Sequence, residues 1–208
     1  MKAAAMMTMA AMLGSLAWAA GRPGERRVVV CFEESGGLLP ETPQARMIAS
    51  KLFQPAGVKL EVLSGQRSCE GQRDRVIVVE LSTNTPKHLL PGALAYAREF
   101  EGVHIHVFYD RIANLAESRE LRLYMLAYVI VHETTHILEG YDMHSASGIM
   151  KPHWGSPEYG LMRIGQLRFT DEDIKLIHAG LAAREPHRGS GLPVIAAGPA
   201  AMQPTAER

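Results

Sequence analysis

The sequence predicts an α+β domain built on one mixed, twisted sheet with a long central helix and a C-terminal helix. Three observations lead there. Short β-branched runs recur through the first half, among them RVVVCFE at 27–33 and RVIVVEL at 75–81. One long run with helical apolar spacing lies between Ser118 and Gly140, and a second, acid-capped run follows at 171–183. The resulting order, β-α-β-β-β-β-α-loop-α, puts strands first and large helices last, which suits one sheet with helices against it.

Each element has its own signal. Residues 27–33 are short and β-branched. Thr42 can cap a helix over 42–53, which must end before Pro55-Ala56-Gly57. Residues 58–63, VKLEVL, alternate apolar and polar as a half-buried strand does. A polar loop spans 65–74, and the continuous apolar run at 75–81 reads as a central strand. Pro91-Gly92 breaks the chain before a short edge strand at 93–97. In VHIHVFY, 103–109, Val103, Ile105, Val107 and Tyr109 share one face, with His104, His106 and Phe108 on the other. Ser118 opens the long helix, whose apolar positions include Leu123, Leu126, Ala127, Ile130, Ile137 and Leu138, and Gly140 closes it. Thr170-Asp171-Glu172-Asp173 opens the last helix with a cap and acids that complement its dipole.

Composition sets outer limits. The chain has 208 residues, 22 Lys+Arg against 22 Asp+Glu, and 47% apolar residues. Zero net charge offers no electrostatic footprint for nucleic acid, and the apolar share supports a real core. Residues 1–19 carry a single charged side chain, Lys2, then an Ala- and Met-rich run ending Ala17-Trp18-Ala19. This reads as a signal peptide with a small-x-small cleavage site. Export to the periplasm or the exterior follows, with no stable membrane span once the leader is gone. Residues 186–208 hold four prolines and three glycines without any period, and read as a disordered tail. One domain over 20–185 remains, expected to act as a monomer. Its two cysteines, Cys31 and Cys69, suit one disulfide in an oxidising compartment.

The chemistry concentrates at the end of the long helix, which reads His132-Glu133-Thr134-Thr135-His136. Residues i and i+4 share a helix face, so two imidazoles can converge on one ion with a carboxylate beside the first. A catalytic zinc needs a third protein ligand and an open position. His144 follows the turn that Gly140 permits, with Asp142 and His153 as rivals; Glu139 falls on the helix and should point away. Ser147-Gly148-Ile149-Met150 then forms a second tight turn, with Met150 suited to an apolar floor beneath the imidazoles.

HExxH, a glycine, a third histidine and a methionine turn together resemble the metzincin clan of zinc endopeptidases. Within it the chain is most similar to the matrixins. The third histidine is followed by Ser145, and Met150-Lys151-Pro152-His153-Trp154 keeps the proline of that family's turn with an aromatic two residues later. The spacing departs from HExxHxxGxxH, reading HExxHxxxGxxxH. The recognisable motifs cover about residues 91–154. The resemblance implies one catalytic Zn2+ on His132, His136 and His144, with Glu133 as general base. It further implies a peptide or protein substrate extended along Leu94 and Ala95, and Pro152 and Trp154 walling the pocket for the residue after the scissile bond. The competing readings are an inactive zinc-binding protein and a zinc amidohydrolase acting on cell-wall material.

Overall fold

The computed structural model describes residues 26–35, 39–64, 76–98, 103–184 and 201–202. The leader at 1–19, the loop at 65–74 with Cys69, and the tail apart from 201–202 lie outside the described residues.

The elements are β1 (Arg26–Ser35), α1 (Thr42–Phe53), a 3-10 turn (Gln54–Ala56), β2 (Val58–Ser64), β3 (Ile77–Ser82), β4 (Ala95–Arg98), β5 (His104–Phe108), α2 (Tyr109–Leu115), α3 (Arg119–Glu139), α4 (Ser156–Arg163), α5 (Asp171–Arg184) and β6 (Ala201–Met202). They form an α+β fold on one mixed sheet of order β2-β1-β3-β5-β4-β6. The strands β2, β1, β3 and β5 run parallel, and β4 is antiparallel to β5. The central parallel strands β1 and β3 read as apolar runs because they are covered: Val30 and Val79 have no exposure at all.

Helix α3 forms the spine. Ser118 caps it by accepting from the Leu121 N–H at 3.1 Å. From Met125 to Glu139 every side chain is buried, so the helix runs through the core rather than along its surface. It ends at Gly140, whose φ of 73° and ψ of 17° lie in the left-handed region that a Cβ disfavours. The final helix presses closely on it, since a Cβ at Gly180 would overlap the Leu138 carbonyl oxygen. Thr170 and Asp173 cap α5 reciprocally: the Thr170 N–H donates to Asp173 Oδ2 at 2.7 Å and the Asp173 N–H to Thr170 Oγ1 at 3.1 Å.

Three local expectations change. Thr42 is not the cap of α1. The helix begins at Thr42 with Glu41 before it, and Glu41 is itself buried, accepting from the Tyr109 hydroxyl at 2.9 Å and Arg122 Nε at 3.3 Å. Two short helices, α2 and α4, stand where no element was expected. The tail contributes β6, two residues paired antiparallel with β4.

Helix α2 matters for the site. Its Arg111 guanidinium donates to the carbonyls of Leu90 at 2.6 Å and Ala93 at 2.7 Å, and lies 4.3 Å from the centre of the Phe108 ring. One side chain thus ties down the irregular segment that leads into β4, saturating carbonyls that no ladder satisfies. Among the described residues no helix is long and apolar enough to cross a membrane.

Candidate metal centre and active site

His132 and His136 project from the same face of α3, with ring centroids 4.7 Å apart. After the turn at Gly140 the chain brings His144 back, its ring 5.3 Å from that of His132 and 4.8 Å from that of His136. One nitrogen from each lies within 4.8 Å of the others. Neither Asp142 nor His153 belongs to this group. The lengthened spacing is absorbed by a helix running to Glu139 and by an exposed loop in which Tyr141 and Met143 face solvent.

Hydrogen bonds decide which nitrogen faces inward. His132 Nδ1 sits 2.8 Å from the Ile149 carbonyl oxygen, and His136 Nδ1 sits 3.3 Å from that of Tyr141. A carbonyl only accepts, so both Nδ1 atoms carry the proton and both Nε2 atoms are bare lone pairs. Those two Nε2 atoms face one another at 3.1 Å. Two ligands at about 2.05 Å on one tetrahedral ion stand about 3.3 Å apart, so this spacing suits a shared cation. Without one, the lone pairs repel. His144 Nε2 is likewise buried and has no hydrogen-bond partner. The donor set fits zinc: three imidazole nitrogens, the number of protein ligands a catalytic zinc site uses.

Electrostatics agree with neutral imidazoles. Burial holds His132 well below the usual imidazole range and lowers His136 to about 4, with neighbouring imidazoles acting in the same direction. Burial also lowers His144, though the Asp142 carboxylate opposes it. A proton is therefore a poor competitor for these lone pairs near neutral pH.

Glu133 is fully buried, and neither carboxylate oxygen has a hydrogen-bond partner. Burial, then the negative charge of Asp142, push its pKa well up; the Ala97 main chain on β4 lies close enough to favour the ionised form somewhat, but does not reach hydrogen-bond geometry. A buried carboxylate without a partner costs several kcal/mol, roughly the size of cost that functional sites carry.

The turn after His144 supports the first histidine. Gly148 has φ 79°, and the Ile149 N–H donates to the Arg168 carbonyl at 2.9 Å, fixing the carbonyl that orients His132. Met150 is buried, and its carbonyl accepts from the Ser145 N–H at 2.8 Å. Pro152 lines a cavity of about 360 Å³ beside the cluster, together with His144, Ser145, Ala146, Lys151 and His153. Trp154, expected at the pocket wall, is instead a core residue. It packs edge-on against His132 at 5.5 Å and Tyr128 at 6.2 Å.

Leu94 and Ala95 are both buried. The outer edge of β4 carries β6, in the register Ala95 opposite Met202 and Tyr96 opposite Ala201. Cys31 is buried in β1 and disulfide-bonded, and the Cys69 end of the expected bridge lies outside the described residues. Glu139 is buried, feels the charge of Asp173 on α5, and is not part of the histidine group. His106 lies on the sheet with Nδ1 3.1 Å from Glu80 and its ring stacked on Tyr96.

Sequence reasoning missed Asp173. It accepts from the Ser145 hydroxyl, tying the residue after the third histidine to the start of α5. The Thr170-x-x-Asp173 cap was the available signal, but nothing in it names Ser145 as a partner.

Among solved structures, the fold is similar to that of archaemetzincin from Methanopyrus kandleri. The TM-score is 0.54 at 15% identity, over 79% of this chain and 99% of that one. No family model and no curated protein matches the chain. The likeness is one of fold, and within that fold this chain holds a histidine triad able to bind a metal.

Proposed function

We propose that the protein is an exported zinc endopeptidase, with zinc held by His132, His136 and His144. The observation that carries this reading is the convergence of three imidazoles, the first of them followed directly in the chain by the fully buried acid Glu133. When bound, the zinc supplies a Lewis acid that lowers the pKa of water toward neutrality and polarises a carbonyl. Glu133 takes the proton from the attacking water and delivers it to the departing amine. A purely structural zinc needs no such carboxylate.

The peptide lies extended along β4, main chain to main chain, as an added strand. The antiparallel pairing of β4 with Ala201 and Met202 supports this, since it uses the same edge. The cavity beside His144 and Pro152 receives the residue after the scissile bond. Met150 and Gly140 serve the site structurally. Export rests on the leader-like residues 1–19.

The test is a mixed peptide library incubated with the purified protein, with and without a zinc chelator, and read by mass spectrometry. Internal cleavage that the chelator abolishes is expected. Replacing Glu133 by Gln should lower the rate by about 10²–10⁴ with zinc content unchanged. A Glu133→Gln protein that cleaves at the parent rate would remove Glu133 from the chemistry.

A further inference from the structure

The three histidines are not held alike. His132 and His136 stand on the rigid spine and turn Nδ1 to main-chain carbonyls. His144 stands at the end of an exposed loop that leaves the helix at Gly140, with its left-handed φ, and carries Tyr141 and Met143, which are 54% and 55% exposed. The group facing its Nδ1 is the carboxylate of Asp142, with Oδ1 at 3.8 Å, while its Nε2 is buried without a partner. We propose that Asp142 is a positioning residue for the third metal ligand, orienting His144 through Nδ1 so that Nε2 meets the ion. Ligating imidazoles commonly face a carboxylate or carbonyl with their second nitrogen, which sets tautomer, ring direction and basicity. Asp142 stands in the lengthened loop two positions before the ligand. A lengthened loop would otherwise leave its histidine loosely aimed.

This inference rests on the zinc reading above, and its test separates the two. The affinity of the full-length protein for zinc is measured by competition with a chromophoric chelator, for the parent, Asp142→Ala, Asp142→Asn and His144→Ala. Cobalt substitution then reports coordination geometry from the visible spectrum. Asp142→Ala should bind zinc about 10–100-fold more weakly, with an altered cobalt spectrum and unchanged unfolding of the metal-free protein. Asp142→Asn, which keeps an acceptor without the charge, should fall between Ala and the parent. If the Ala variant does not fold, Asn decides, and an affinity equal to the parent's overturns the proposal. Equal affinity and spectra in parent and Ala variant overturn it too, leaving the zinc reading intact. A parent that takes up no zinc overturns both.

Discussion

Replacing Glu139 by Gln should stabilise the protein, and should do so only above acidic pH. Glu139 is 4% exposed, and burial followed by the charge of Asp173 raises its pKa from 4.5 to about 8. The folded state therefore keeps a proton that the unfolded chain releases. Below pH 4.5 both states are protonated and the group costs nothing. As pH rises from 4.5 toward 8, stability is progressively lost. At pH 7 the states differ over about 2.5 pH units, which at about 1.4 kcal/mol per unit is a ceiling of about 3 kcal/mol. Gln has nearly the same shape as the protonated acid and never ionises. The variant should match the parent near pH 4.5 and exceed it by about 2–3 kcal/mol at pH 7, or on the order of 5–10 °C in Tm. Urea unfolding of both proteins across pH 4.5–8.5 measures this, and groups common to both cancel in the difference. A difference that stays flat across that range would refute the reasoning. Zinc content should not change, because Glu139 is not part of the histidine group.

Three further outcomes follow from the site. Gly148→Ala forces a Cβ into the left-handed region and onto the Arg168 carbonyl oxygen. It should cost about 2–4 kcal/mol and weaken zinc binding by moving the Ile149 carbonyl; denaturant unfolding within about 0.5 kcal/mol of the parent would count against it. On acidification, His136 takes a proton at about 4 when folded but at 6.5 when unfolded. Stability present above pH 6.5 should be lost as pH falls toward 4, by up to about 3 kcal/mol from this group, measured on chelator-treated protein. Deleting residues 186–208 removes β6 from the edge of β4. If that edge holds substrate, KM for long peptides should fall with kcat unchanged; an unaltered KM would argue that substrate lies elsewhere.

The sequence made the central helix and its two histidines legible because both are local. A period of 3.6 residues puts positions four apart on one face, and a glycine ends the helix wherever the next residue must turn left-handed. Strands were legible for a similar reason, β1 and β3 as apolar runs of strand length and β2 and β5 as alternating patterns. The short helices were not. Helix α2 begins at Tyr109, which the alternating pattern assigned to the preceding strand, and α4 contains Gly160 in only eight residues. Nor could Thr42 be told from Glu41 at the start of α1, since the contacts to Tyr109 and Arg122 that bury Glu41 come from residues 68 and 81 positions away.

By itself the sequence determined an α+β fold, the position of HExxH, and a short set of rivals for the third ligand. Tertiary structure carries His144, and not its rivals, back to the other two histidines. It also put Trp154 in the core behind His132, away from the pocket, and supplied the carbonyls of Ile149 and Tyr141 that aim the imidazoles. Side-chain periodicity is written in residue types. Main-chain carbonyls are the same at every position, so which of them meets a given imidazole depends only on where the folded chain places it.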